Sequence, residues 1–152
     1  MKGRIIFFGM LLLFFVSCNF CELFGTYDLG NNFILMQGDG SNEEIIIYCT
    51  TKKGCCHSGI SVIPSNPSYT DTYIEEIGYD NNWIIAKSGN KIKKDYHAYW
   101  IIKKNFKINI DNCKDDCNKI IRNNVFGPFN NIEFTSKKNK LGIKLQLENI
   151  FK

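Results

Sequence analysis

The sequence predicts an α+β domain, a mainly antiparallel β meander with one or two short helices in the C-terminal third. Three observations carry that prediction: short apolar runs separated by Gly, Asn and Asp turns from Gly25 onward, 14% aromatic residues suited to a sheet-rich core, and helix-capping signals that occur only after residue 110. A chain of 152 residues with 44% hydrophobic side chains is long enough for one cored domain and too short for two. Collagen-like, coiled-coil and wholly disordered classes are excluded by the same figures.

The elements follow in order. Runs at Phe33 to Gln37, Glu44 to Cys49, Tyr73 to Tyr79, Trp83 to Lys87, His97 to Lys104 and Phe106 to Ile110 read as strands. Asp80-Asn81-Asn82 supplies hairpin chemistry between two of them, because Asn and Asp tolerate left-handed backbone. Trp83-Ile84-Ile85-Ala86 and Tyr99-Trp100-Ile101-Ile102 are apolar throughout and are expected at the centre of the sheet, whereas Phe106, Ile108 and Ile110 alternate with polar residues as a half-wetted strand would. The stretch from Gly54 to Pro67, with Pro64, is expected to contain a loop. A short helix is predicted around Cys113 and Cys117, with Asp111 and Asn112 as caps and Cys113, Cys117, Ile120 and Ile121 on one face. Gly127-Pro128 then breaks the chain, and Asn130-x-x-Glu133 forms a capping box for a helix reaching about Lys140. Ile143, Leu145 and Leu147 alternate with Lys144, Gln146 and Glu148, so a final strand is expected.

The N-terminus carries an address. Lys2 and Arg4 precede an uncharged apolar run from Ile5 to Val16, the layout of a secretory signal peptide and too short for a membrane span, which needs about 20 residues. Phe15-Val16-Ser17-Cys18 resembles the lipobox of bacterial lipoproteins, although Phe15 stands where that pattern usually has Leu. The resemblance implies acylation of Cys18 and its exposure as the mature N-terminus. Residues 1–17 are thus read as signal peptide, 18–24 as lipidated N-terminus and short tether, and 25–152 as the single domain. Loss of residues 1–17 removes Lys2 and Arg4, so the formal balance falls from +4 to +2, with 17 basic against 15 acidic residues. So small and dispersed a charge gives no nucleic-acid surface. The preponderance of Lys over Arg, with only Arg4 and Arg122, goes with abundant Ile and Asn and reads as A/T-rich codon usage.

With Cys18 acylated, six cysteines remain, Cys21, Cys49, Cys55, Cys56, Cys113 and Cys117, an even number suited to disulfides in an oxidising compartment. The preferred topology bridges the 49/55/56 region to the 113/117 helix, since Cβ atoms four apart on a helix are about 5 to 6 Å apart and too distant for a bond. Cys55-Cys56-His57 with Cys113 and Cys117 offers zinc-like ligand types, but an adjacent pair and a helical pair lack knuckle spacing, so neither metal nor cofactor is expected.

Tyr27-Asp28-Leu29 with Phe33, Ile77-Gly78-Tyr79-Asp80 leading into Trp83-Ile84-Ile85-Ala86-Lys87, Tyr99-Trp100-Ile101-Ile102-Lys103, and Gly127-Pro128-Phe129 with Phe134 and Leu141-Gly142 resemble a family of small bacterial lipoproteins carrying a domain of unknown function. The resemblance implies an envelope location and brings no catalytic residues.

Chemistry is sparse. No nucleophile elbow, zinc-protease motif or nucleotide-binding loop is present. His57 and His97 are the only histidines. His97 reads as a strand-edge side chain and His57 as an unassembled neighbour of Cys56. Gln37-Gly38-Asp39-Gly40-Ser41 reads as a hairpin turn rather than a calcium loop, and Glu75-Glu76 and Asp115-Asp116 as diverging, solvated carboxylates. Lys91, Lys93 and Lys94, and Lys103, Lys104 and Lys107, form two basic clusters that read as solubilising edge charges rather than a lipid or glycan site. The expected function is a non-enzymatic, lipid-anchored envelope domain binding another envelope protein or a glycan. The alternatives are an immunity-like or inhibitor lipoprotein acting on a toxin or hydrolase and, third, a thiol/His hydrolase.

Overall fold

The computed structural model describes residues 25–37, 43–50, 56, 59–63, 71–106, 108 and 116–149. Eight strands and two helices follow in the order β1 (Thr26–Gly30), β2 (Phe33–Met36), β3 (Ile45–Cys49), β4 (Gly59–Ile63), β5 (Thr72–Tyr79), β6 (Trp83–Asn90), β7 (Ala98–Lys103), α1 (Asp116–Asn123), β8 (Val125–Phe129) and α2 (Asn131–Lys140). The strands form two four-stranded antiparallel meanders, β1-β2-β3-β4 and β5-β6-β7-β8, each in sequence order. The α+β class, with its helices in the C-terminal part, is the one the sequence predicts.

One core joins the sheets. Leu29, Phe33, Leu35, Ile46, Tyr48, Val62 and Ile63 from the first meet Ile74, Ile77, Ile84, Ala86, Trp100 and Ile102 from the second, with Ile121 of α1 packed among them. Each fully buried aliphatic side chain here is worth about 1.5 to 3 kcal/mol relative to exposure. Polar groups within the core are paired: Trp100 Nε1 donates to Ser88 Oγ at 2.9 Å, and that hydroxyl donates to the Ala98 carbonyl at 3.2 Å.

The second sheet is covered on both faces, which is why β6 and β7 read as continuous apolar runs. Ile84, Ala86, Trp100 and Ile102 face the shared core, and Ile85 and Ile101 face a second cluster built on Phe134 of α2 and on Ile143. Tyr99 stacks on Phe134 with centroids 5.0 Å apart. The helix is set by its capping box: the Asn130 side chain accepts from the Glu133 amide at 2.9 Å, and the Glu133 carboxylate accepts from the Asn130 amide at 3.0 Å.

Departures from the expected elements have local causes. The segment from Gly54 to Pro67, expected to contain a loop, also holds a strand that was not expected, β4, which pairs with β3 from Cys49↔Gly59 to Ile46↔Ile63. The Gly127–Pro128 break lies inside β8, where the peptide is cis and the register with β7 shifts between Tyr99 and Ile101. Neither Phe106 nor Ile108 lies in a strand; both pack partly buried against the core. The C-terminal alternation is real, with Ile143 buried and Lys144 and Gln146 exposed, yet it yields a single bridge, Ile77↔Glu148, on the edge of β5. That bridge closes with Ile77 N–H to Glu148 O at 2.9 Å and Glu148 N–H to Ile77 O at 3.1 Å.

Gly78 permits this approach. A Cβ there would stand 2.1 Å from the Gln146 carbonyl oxygen. Gly78→Ala is therefore expected to push residues 143–148 off the sheet and to destabilise the domain by about 2 to 3 kcal/mol. Denaturant unfolding measures the loss, and hydrogen exchange at the Ile77 and Glu148 amides reports whether the bridge has opened.

Candidate functional site

The broadest concave surface among the described pockets lies at the end of the sandwich where two hairpin turns meet. The β1–β2 turn places Asn31 (φ 54°) and Asn32 (φ 66°) in the left-handed region, the requirement of a type I′ turn and one that Asn meets readily. The Asp28 carboxylate accepts from the Gly30 amide at 2.7 Å before this turn. The β5–β6 turn is the expected Asp80-Asn81-Asn82 hairpin, in which the Asp80 carboxylate accepts from the amides of Asn82 (2.7 Å) and Trp83 (2.8 Å).

Lys104 ties the turns together. Its ammonium donates to the Leu29 carbonyl on one sheet and the Asp80 carbonyl on the other, and lies 6.0 Å from the Tyr79 ring centroid. Its amide donates to Asn82 O at 2.8 Å, while the Asn31 side chain donates to Lys104 O at 3.4 Å and Asn81 O at 3.3 Å. Burial lowers the pKa of this amine from its ordinary value, against the nearby charges of Asp80 and Asp28. The solvated edge charge expected at Lys104 is thus corrected: the residue is 2% exposed, because the chain leaving β7 passes directly beneath both turns.

The resulting cleft, about 540 Å³, is lined by Asn31, Asn32, Tyr48, Lys104, Asn105, Phe106 and Ile108. Asn105 sits at the apex of a tight reversal closed by Phe106 N–H to Lys104 O at 2.9 Å. Phe106 stacks on Tyr48 at 5.9 Å and 27° and meets Phe33 edge-on at 5.9 Å. The Asn32 side chain reaches the Tyr48 hydroxyl at 3.5 Å. None of the three asparagines was singled out from the sequence. The signal was present in Gly30-Asn31-Asn32, a two-residue turn between apolar runs, but nothing local reveals that a second turn and residue 105 arrive beside it.

A second polar group lies on the outer face of the other sheet. A register shift between Ile74 and Glu76 brings both Glu75 and Glu76 onto Lys87, at 3.0 and 3.3 Å, instead of letting them diverge as adjacent strand residues do. His97 Nδ1 lies 3.0 Å from the same Glu75 oxygen as Lys87. Tyr73 donates its hydroxyl to the other Glu75 oxygen at 3.2 Å. Tyr73, Glu75, Glu76 and Lys87 line, with Glu44 and Asn149, a cleft of about 360 Å³. A third, of about 190 Å³, lies beside Trp100, Ile121 and Arg122.

The other candidates are placed as follows. Cys49 and Cys56 are bonded to each other, Cα to Cα 5.7 Å, rather than across to the helix, because the chain reverses between β3 and β4 and returns Cys56 to the outer face where Ile47 and Cys49 lie. Cys117 is buried on α1 and is also disulfide-bonded. Cys18, Cys21, Cys55, Cys113, His57, Lys107, Asp115 and residues 38–42 lie outside the described residues. Lys103 is exposed, as are Lys93 and Lys94, and Lys91 pairs with Glu43 at 3.2 Å. Among the described residues no set of three His, Cys, Asp or Glu side chains could hold a metal, and no helix is long and apolar enough to cross a membrane. No protein-family model, curated protein or solved structure matches the chain.

Two outcomes follow from these geometries. Lys104→Met leaves the Leu29 and Asp80 carbonyls without their shared donor and is expected to cost about 2 to 4 kcal/mol in urea unfolding. Around Glu75, burial, the Glu75 charge and the hydrogen bond to it raise the Tyr73 pKa above 10.0. At Lys87 burial pulls downward, but the hydrogen bonds and charges of Glu75 and Glu76 outweigh it and raise the pKa above 10.5. Both groups hold their protons more tightly folded than unfolded, so their contribution is complete below the unfolded values and is lost as pH rises through the folded ones. Stability measured across that alkaline range is expected to fall less steeply in Glu75→Gln than in the wild type.

Proposed function

We propose that this chain is a lipid-anchored binding protein of the cell envelope, fixed to a membrane through acylated Cys18 and offering the cleft between its β1–β2 turn and the segment after β7 to a ligand. The observation that carries binding is the cleft itself, where amide side chains on tightly turned backbone stand beside an aromatic platform, and the turn backbones are braced from both sheets by one lysine. Fixed donors and acceptors lower the ordering cost of association, which is what distinguishes a binding surface from an ordinary polar one.

Two features support the envelope location. The N-terminal sequence runs from Lys2 and Arg4 through the apolar stretch to Ser17-Cys18, the order an exported lipoprotein uses. Disulfide-bonded Cys49, Cys56 and Cys117 suit an oxidising compartment. Several acyl chains, at about 0.8 kcal/mol per buried CH2, hold a protein stably where one chain does not. The few residues between Cys18 and β1 keep the domain close to that surface.

Intact mass of the protein from the membrane fraction tests this reading. The expected species begins at Cys18 and carries diacylglycerol and acyl additions, and Cys18→Ala is expected to abolish the additions and the processing. A chain that retains residues 1–17 without acylation, with every thiol open to alkylation, would overturn it.

A further inference from the structure

We infer that the cleft between the β1–β2 turn and the segment that follows β7 takes a neutral saccharide, an inference that rests on the binding reading above and names its ligand class. Three carboxamides, Asn31, Asn32 and Asn105, stand on its rim and floor. A carboxamide presents a donor and an acceptor in one plane, the complement of two neighbouring hydroxyls, each of which also donates and accepts. Asn31 and Asn32 are fixed in backbone by the left-handed turn, and Asn105 by the reversal between Lys104 and Phe106. Beside them the half-buried Phe106 ring is backed by Tyr48 and Phe33, which hold it as a platform rather than a mobile side chain. A sugar ring matches this pairing, with hydroxyls at its margin and an apolar face of C–H bonds.

The other ligand classes fit less well. An anion would need a cation with charge to spare, but the Lys104 ammonium is committed to the Leu29 and Asp80 carbonyls and stands near Asp28 and Asp80. An extended peptide would need unpaired strand backbone, whereas here the Asn32 carbonyl accepts from Cys49 N–H at 2.7 Å and Asn82 O from Lys104 N–H at 2.8 Å. A wholly apolar ligand would strand three amides without water. The volume of about 540 Å³ lies in the range of small-ligand clefts.

The test uses the full acylated protein in lipid nanodiscs and four neutral probes: tetraacetylchitotetraose, maltotetraose, cellotetraose and mannotetraose. Saturation-transfer NMR is expected to show at least one probe bound with Kd tighter than about 1 mM, with transfer strongest at ring C–H protons. Asn105→Ala, and separately Asn32→Asp, which keeps the side-chain shape and the tolerance of left-handed backbone and can accept from the Tyr48 hydroxyl, are expected to weaken binding about tenfold at unchanged melting temperature. Lys140→Ala on the remote helix leaves affinity as it was. Absence of binding by all four probes at concentrations up to about 10 mM, or binding indifferent to both asparagine variants, overturns the inference. If Cys18 is acylated and no probe binds, the saccharide falls and the envelope reading stands; if an unacylated chain binds a probe through Asn105, the reverse holds.

Discussion

A single buried ammonium joins the two sheets at the end where the β1–β2 and β5–β6 turns meet. Each meander is stabilised laterally by its own ladders, and the shared apolar core holds the sheets face to face without direction. Directional contact between them is rarer, and Lys104 supplies it by donating to a β1 carbonyl on one side and to a β5–β6 turn carbonyl on the other. An apolar side chain could fill the same volume but could not donate to either carbonyl. The cost is desolvation of a charge, visible in the lowered pKa of the amine, and it is offset by two charge-assisted hydrogen bonds and by the nearby carboxylates.

The consequence for the site lies in what can move. Turn residues are ordinarily the mobile part of a sandwich, held by a few local hydrogen bonds. Here the Asn31 side chain reaches both Lys104 O and Asn81 O, Asn32 O accepts from Cys49, and Asn82 O accepts from Lys104, so two turns distant in sequence brace each other. Asn105 is carried on the same strap. The core beneath is equally fixed, since the second sheet is packed on both faces and its β5 edge is occupied by the C-terminal segment at Ile77. That occupied edge also removes one of the unpaired strand surfaces through which sheet proteins associate improperly.

The fold was legible from the sequence wherever a pattern is local. The capping box at Asn130 and Glu133, the Asp80 turn and the apolar runs of β6 and β7 depend on residues a few positions apart, and all appear as read. What escaped depends on distant neighbours. β4 was hidden because Gly59 to Ile63 is short and lies between cysteines and prolines; its strand character comes from pairing with β3. Lys104 looked like one of several solubilising lysines because its burial is created by two turns, 24 and 75 positions away in sequence. Adjacent Glu75 and Glu76 reach one partner only because the register slips between them, and a slip has no signature in residue type. The described cysteines show the same division: disulfides are what an even set of six leads one to expect, whereas the Cys49–Cys56 pairing follows from a strand return that the sequence leaves open.

The two larger polar clefts are chemically opposite, and the contrast explains why binding is assigned to one of them. Around Glu75 the strong groups answer one another: a carboxylate faces a lysine, a histidine and a tyrosine hydroxyl, and Glu76 takes the same lysine. A ligand entering there would have to break ion pairs that are partly sheltered from water before it gained anything. At the turn end the internal bonds satisfy the backbone and the lysine but do not exhaust the carboxamides, since Asn31 commits its N–H groups inward and keeps its oxygen, and Asn32 commits one N–H, in contacts of 3.3 to 3.5 Å. Those contacts are long enough to yield to a shorter partner. Association would be favoured where the scaffold is saturated and the side-chain surface is not, which is why the proposed recognition is assigned to the asparagines, whereas the Glu75 cluster ties together residues on the outer face of the sheet.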